Sequence, residues 1–389
     1  MSIGRGGETT ILLETNKSNC ANDLDIVCLF IEKVLDYAAT DLSPSFDRIC
    51  FDIKFAGLGV EWFLDYKAIR EGLTGLYFLS QPQRKLLYDS YKADISFAVQ
   101  LGKADYQFSY PGLPAKVKEI AKPLFEALYD DILGGSKGFR MIGLANPNLQ
   151  RGHVRRGFFE ANRKRDNQFN QVCPACLGMI EVDSEDGHAD LDHYFTKSIY
   201  PMLSVSSDNL IPLCKICNQT MKRAKDPLEA HREPGQLAFL FLPYHRPGIE
   251  SITIELDQTE PDEKIIVGVQ RDKVNDRVRV ANFVSLFELN DRWSGRINSS
   301  LYETIRQDVI SDFLDPNKAV TEQAVKDKLT NLFRAKMSSK STVPDAYLLA
   351  KYLEKIINNI ELFSAFYREI TEVIDLEREE MLAIELEEE

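Results

Sequence analysis

Two Cys-x-x-Cys pairs, Cys173/Cys176 and Cys214/Cys217, constrain this chain more than any other feature. Each pair turns two thiolates toward one point, and two such turns close a tetrahedral all-sulfur site that suits zinc. Four of the seven cysteines lie in these pairs. A closed four-cysteine site keeps no open position for water, so the spacing predicts a metal that holds the fold and performs no chemistry. A thioredoxin-like redox pair is the alternative for a lone Cys-x-x-Cys, but two matched pairs without a βαβ pattern around them count against it.

The 37 residues between the pairs, Leu177 to Leu213, carry groups that zinc does not require. Ala189 to Phe195 alternates and predicts a short strand containing Asp192-His193-Tyr194. Asn209 to Leu213 predicts a second strand, with Ser206, Ser207 and Asp208 as turn residues before it. After Cys217, the run from Asn218 to Lys225 is polar and helix-compatible up to Pro227. The order is strand, loop, strand, helix, stapled by zinc at the base.

The run DLDHYFTKSIYPMLSVSSDNLIPLCKICN resembles an HNH endonuclease, the ββα-metal nuclease family, in its form with a four-cysteine zinc site. The likeness covers about Val172 to Ala230, about a sixth of the chain. Carried over by position, it implies that His193 is the general base and that Asp192 and Asn218 bind the catalytic divalent ion. It implies that Asn209 fixes the loop holding the base and that Lys222 or a neighbouring cation faces phosphate. Met221 stands where members often place a lysine, with Lys222 one residue later, and Thr196 stands where a proline is common. Bacterial proteins of this type resemble effectors of restriction and anti-phage systems, including the HNH subunits of Septu-like systems that work with an ATPase partner.

The chemistry is coherent on its own terms. Hydrolysis of a phosphodiester needs a water deprotonated near neutral pH, and an imidazole with an ordinary pKa of about 6.5 suits that task. It also needs a hard cation, and the oxygens of Asp192 and Asn218 suit Mg2+ or Mn2+. Each residue has a plainer reading: an Asp-His pair as an ordinary hydrogen bond, Asn209 as a turn residue, Asn218 as a helix cap. His188, in an acidic loop with Asp183, Glu185 and Asp186, reads as solvated, and His231 is a secondary candidate for the metal or phosphate site; His245 lies downstream.

A net charge of −13 is unusual for a chain read as binding nucleic acid, DNA or RNA. From Lys137 to Gln171, however, eight cations (Lys137, Arg140, Arg151, Arg155, Arg156, Arg163, Lys164, Arg165) face two acids (Glu160, Asp166), a local balance of +6. His153 lies in this segment. Lys215, Lys222, Arg223, Lys225 and Arg232 surround and follow the second cysteine pair. Phosphate attraction is local, so a basic stripe on an acidic body can guide a substrate. The plainer reading is a solvated helix face.

The expected fold class is α+β: a small zinc-stapled ββα-metal domain between mostly helical N- and C-terminal regions. The segments are a helical region 1–136, a basic connector 137–170, the ββα module 171–235, and a mostly helical region 236–389 with a β-hairpin. In the first, helices are expected at Leu24 to Ala38, capped by Asn22 or Asp23, from Pro82 through Val99, and from Val117 to Ile132, stopped by Gly134-Gly135. Ile49, Phe51 and Ile53 alternate as a strand would. Gly4 to Gly7 reads as a flexible end. In the last, Ser251 to Leu256 pairs with Lys264 to Val269 through the turn Asp257 to Glu263, followed by helices at Ala281–Leu289, Arg292–Leu314, Thr321–Met337 and Pro344–Glu377 and an acidic end that frays.

With 44% hydrophobic and 28% charged residues the chain has the composition of a soluble globular protein. It has neither a long uncharged apolar stretch nor an apolar leader, which places it in the cytoplasm, away from membranes, with Cys20, Cys28 and Cys50 reduced and buried. Three functions compete: a metal-dependent DNA endonuclease, an RNA-cleaving nuclease using the same chemistry, and a catalytically silent zinc-stabilised nucleic-acid-binding scaffold. One ββα site cuts one strand at a time, so duplex breakage calls for a homo-oligomer or two events.

Overall fold

The computed structural model describes residues 12–101, 103, 106–181, 190–229, 236–257, 264–270 and 274–388. Gly4 to Gly7, the acidic loop with Asp183, Glu185, Asp186 and His188, and His231 and Arg232 lie outside the described residues. So does most of the turn between Asp257 and Lys264.

The protein mixes helix with two small antiparallel sheets. The N-terminal region is α1 (Ala21–Thr40), α2 (Arg48–Lys54), α3 (Lys67–Leu76), α4 (Gln81–Ile95) and α5 (Ala115–Ala127), followed by a π-helical turn at Leu128–Leu133. Pro82 sits in the first turn of α4, where its missing N–H costs nothing, and Ser80 with Gln83 forms a capping box. Pro123 lies inside α5, which continues to Ala127; beyond it the ladder widens, with Gly134 N bonding Tyr129 O at 2.8 Å, and Gly134-Gly135 ends the run. Helix α6 (Arg151–Ala161) then leads toward the first cysteine pair.

Strand β1 (Asp190–His193) pairs antiparallel with β2 (Leu210–Leu213) in the register Asp190↔Leu213 to His193↔Leu210. A two-stranded ladder consists of edges, so Pro212 is tolerated in it. A second hairpin joins β3 (Ile252–Asp257) to β4 (Lys264–Val269). The remainder is α7 (Val274–Phe287), α8 (Leu289–Arg296), a π-helical turn at Ile297–Leu301, α9 (Tyr302–Phe313), α10 (Glu322–Ser338), α11 (Ala346–Asn358) and α12 (Ile360–Glu388).

Two apolar cores meet at β1 and β2. Leu191, Met202, Val205 and Leu210 pack into the core of α1–α5, whereas Tyr194, Phe195, Ile211 and Leu213 join a second core with the cysteines, the β3–β4 hairpin and α7–α12. Strand β2 is therefore buried along its whole length. Packing also crosses the expected segment boundaries: Leu12, Phe97 and Phe158 belong to the second core.

Several expectations are corrected. Ile49, Phe51 and Ile53 lie on a helix, because the Asp47 carboxylate accepts from Ile49 N at 2.8 Å and Cys50 N at 3.1 Å and so caps it. Cys50 is on the outer face of that helix and exposed, while Cys20 and Cys28 are buried. Asp23 does not cap α1; its carboxylate accepts from Ala145 N and Asn146 N. The span expected as one helix over 344–377 breaks at Asn359, whose Oδ1 accepts from Glu361 N and Leu362 N and starts α12. That helix continues to Glu388, so the acidic end expected to fray is helical. The helix expected at 292–314 is divided by the π-helical turn. Among the described residues no helix is long and apolar enough to cross a membrane.

Helices α3 and α5 touch at Gly72, where a Cβ would lie 2.8 Å from Leu124 Cβ. Gly72→Ala is expected to push α5 away and lower the unfolding free energy by about 1–3 kcal/mol, as read from urea denaturation.

Candidate functional site

The two cysteine turns form as the spacing requires. Leu177 N donates to Cys173 O (2.9 Å) and Cys173 N to Gly178 O (2.7 Å); Asn218 N donates to Cys214 O (3.1 Å). Leu177 adopts φ +61°, and a Cβ on Gly178 would lie 2.7 Å from Arg296 Nη1. All four sulfurs fall within 4.8 Å of one another. Cys173 and Cys217 are separated by 3.8 Å and Cys176 and Cys214 by 3.9 Å. Those distances exclude disulfides, whose sulfurs sit about 2.05 Å apart, and match the edge of about 3.8 Å of a tetrahedron with metal–sulfur bonds near 2.3 Å. The set is competent to hold a structural metal such as zinc.

Helix α8 closes this cluster from the C-terminal side. Arg292 Nη1 lies 3.3 Å from Cys217 Sγ, Trp293 Nε1 donates to Cys176 O (3.1 Å), and Arg296 Nη2 donates to the same carbonyl (2.8 Å). Arg296 also pairs with Asp345, whose N–H donates to Leu177 O (2.8 Å). Burial disfavours the charge of Arg292, but the sulfurs of Cys217 and Cys176 outweigh it and raise its pKa. Four thiolates around a divalent ion carry two surplus negative charges, and two guanidinium groups stand against them.

The second cluster is built on β1. Residues Asp190 and Asp192 share one face of the strand, and His193 points to the other. His193 is 8% exposed; its Nε2 lies 2.8 Å from the carbonyl of Ser204. A carbonyl only accepts, so Nε2 carries the proton and Nδ1 keeps its lone pair. The Tyr129 ring stands edge-on against the imidazole at 4.2 Å, and Tyr129 Oη donates to Leu191 O (2.9 Å). Burial pushes the His193 pKa down to about 3, with Lys197, Lys222 and Arg151 adding to the effect. The folded value lies below the ordinary one, so protonation is linked to unfolding. Stability falls as pH drops from about 6.5 toward 3.

Asp192 is 6% exposed and Lys222 1%. Lys222 Nζ lies 3.2 Å from Asp192 Oδ1 and 3.1 Å from Oδ2, and donates to His193 O at 2.6 Å. Burial raises the Asp192 pKa against the lowering effect of Lys222. Lys222, expected to face phosphate, is instead enclosed beneath β1, because the segment Ile216–Lys222 is a π-helical turn that carries its last residue inward.

Asn209 is completely buried. Its Oδ1 accepts from Phe195 N (2.7 Å), and its Nδ2 donates to Phe195 O (3.0 Å) and Leu203 O (3.2 Å). The amide thus ties both ends of the loop that delivers the Ser204 carbonyl to His193. Ser204 Oγ in turn donates to Phe125 O on α5 (2.7 Å). Asn218 is half-buried and donates to Asp190 Oδ2 (3.2 Å), joined there by Gln219 Nε2 (2.6 Å).

The remaining expected cations are dispersed. Arg155 is half-buried and Arg156 exposed on α6; Arg163 stacks on Phe169 at 4.3 Å, beside a half-buried Lys164 and an exposed Arg165. Arg223 is exposed, with φ +47°, and Lys225 pairs with Glu288 at 2.9 Å. His153 Nδ1 accepts from Gln150 N (3.2 Å) and caps α6, while His245 binds Asp208 (2.5 Å). Asp190, Tyr129, Ser204 and Lys197 had not been singled out from the sequence as site residues, and Arg151 had been named only as part of the basic segment 137–171. Of these, Asp190 carried a local signal in its i,i+2 spacing from Asp192, and Arg151 in its basic surroundings.

No family model, curated protein or solved structure matches the chain.

Chelation of the cysteine-held metal, or Cys176→Ser, is expected to abolish cooperative unfolding of the second core. Arg292→Ala is expected to leave the metal in place at low chelator concentration but to speed its loss to a competing chelator at least tenfold, read by a colorimetric zinc indicator. Equal rates in variant and wild type would remove the charge-compensating role of Arg292.

Proposed function

We propose that the protein is a metal-dependent endonuclease of the HNH, ββα-metal kind that hydrolyses phosphodiester bonds in DNA with His193 as general base. The observation that carries this reading is the imidazole's single committed nitrogen: Nε2 is anchored on the Ser204 carbonyl, which leaves Nδ1 as an acceptor, on the residue that follows the buried Asp192 in the strand. An antiparallel β1–β2 pair followed directly by the helical turn bearing Asn218 supports it.

Asp192 and Asn218 are the oxygen donors that would hold a magnesium or manganese ion. Asp192 Oδ2 is buried and makes no hydrogen bond, a hard anionic oxygen beside which a cation, here Lys222 Nζ at 3.1 Å, is already favoured. Such an ion supplies polarisation of the phosphoryl group and charge for the leaving oxygen. Asp192 reaches it only if Lys222 yields part of its hold.

His193 accepts the proton of the attacking water at Nδ1. Its neutrality in the free protein follows from burial, and an arriving phosphodiester brings negative charge that favours the imidazolium formed in the reaction. Asn209 keeps the anchor loop in register, so the base does not rotate as the proton moves.

The Lys222–Asp192 ion pair favours a second reading, a catalytically silent zinc-stabilised scaffold that binds nucleic acid, because it satisfies Asp192 without any divalent ion. Cleavage separates the two. Wild type is expected to nick supercoiled plasmid with magnesium or manganese, and His193→Ala, folded and zinc-replete, is expected to lose at least a hundredfold in rate. Linear duplex, single-stranded DNA and RNA assayed in parallel identify the preferred backbone. Full zinc content with no divalent-dependent cleavage of any of them would establish the scaffold.

A further inference from the structure

We propose that Arg151 and Lys197 form a phosphodiester grip on the Tyr129 ring beside His193, a role that rests on the endonuclease reading. Three separate segments meet there. The π-helical turn after α5 supplies Tyr129, the first residue of α6 supplies Arg151, and the loop after β1 supplies Lys197.

The Arg151 guanidinium lies 4.8 Å from the centre of the Tyr129 ring, and Lys197 Nζ lies 5.4 Å from the same centre. That ring is 4.2 Å from the imidazole. Cation–π contact is attractive but modest, on the order of 1 kcal/mol at a partly exposed site, and two like charges on one ring oppose each other. Asp130, half-exposed, pairs with Lys197 and offsets one of them. Arg151 has no ion pair among the described residues. One positive charge is therefore left over at the mouth of the His193 site, in a chain whose net charge is −13.

The position of Arg151 is built. A Cβ on Gly134 would lie 1.9 Å from Arg151 Nη2, so the guanidinium lodges against backbone that only glycine leaves open. Lys197 keeps 22% of its side chain in solvent, whereas Lys222 keeps 1% and is committed to Asp192 and to the His193 carbonyl. Among the described residues, the cations gathered on the ring that packs against the imidazole are thus Arg151 and Lys197. An anion between them relieves their mutual repulsion and sits where a water held by His193 can attack it.

The test is the salt dependence of binding by the full-length, zinc-loaded protein, without added magnesium or manganese. The probes are labelled duplex DNA, single-stranded DNA and RNA in separate arms. Arg151→Gln and Lys197→Gln are each expected to weaken binding several-fold and to reduce the slope of log affinity against log salt by about 0.9 on duplex or about 0.7 on single strands. Arg151→Lys is expected to keep the slope, which a purely packing role would not explain. Unchanged slopes in folded variants of normal zinc content overturn the grip. Should Arg151→Gln fail to fold, Lys197→Gln at the surface decides alone. Cleavage lost in His193→Ala with unchanged slopes removes only the grip; reduced slopes with no cleavage by wild type keep the anion site and remove the nuclease.

Discussion

Four sulfurs drawn within 4.8 Å of one another gather the ends of the two cysteine turns at one point, on which the first sheet and α8 depend. They join chain positions about forty residues apart, so the intervening loop and both strands of the first sheet are pinned at the base. The charge of such a cluster has to be matched, and Arg292 and Arg296 on α8 face it. The C-terminal helices are thereby tied to the cysteines by polar contacts as well as by a shared core that includes Trp293 and Ile297. A small module with little apolar interior of its own gains a core by contributing to two larger ones.

The surroundings of His193 depend on the same joint position. One face of the β1–β2 pair packs on the N-terminal helices, which roof the imidazole with Tyr129 and anchor the Ser204 loop on Phe125. Burial keeps the ring neutral, and the Ser204 carbonyl selects its tautomer. The buried Lys222–Asp192 pair beneath carries a desolvation cost that is worthwhile only if both partners remain matched. Its presence at the carboxylate proposed to hold a divalent ion makes Lys222 the natural counter-charge of the metal-free protein.

What the sequence revealed depends on how local the signal is. Cysteine pairs and the flanking strands were legible because a metal-ligating turn and a two-residue alternation are complete within a few positions. The β3–β4 hairpin and most helices were legible for the same reason. Other features were not. Alternating Ile49, Phe51 and Ile53 mimic a strand, and only the Asp47 cap settles them as helix. Lys222 is turned inward by a π-helical register that no periodicity announces. Tyr129, Arg151 and Lys197 come together from three segments, so their convergence exists only in the folded chain.

The central claim is that the fold presents His193 as a neutral base at Nδ1. Nitrogen-15 NMR of the imidazole in the intact, zinc-loaded protein tests it most directly. The expected spectrum has a proton on Nε2 and none on Nδ1, unchanged between about pH 5 and pH 8, since burial holds the pKa near 3. A proton on Nδ1 at neutral pH, or a titration near the ordinary value of about 6.5, would contradict it.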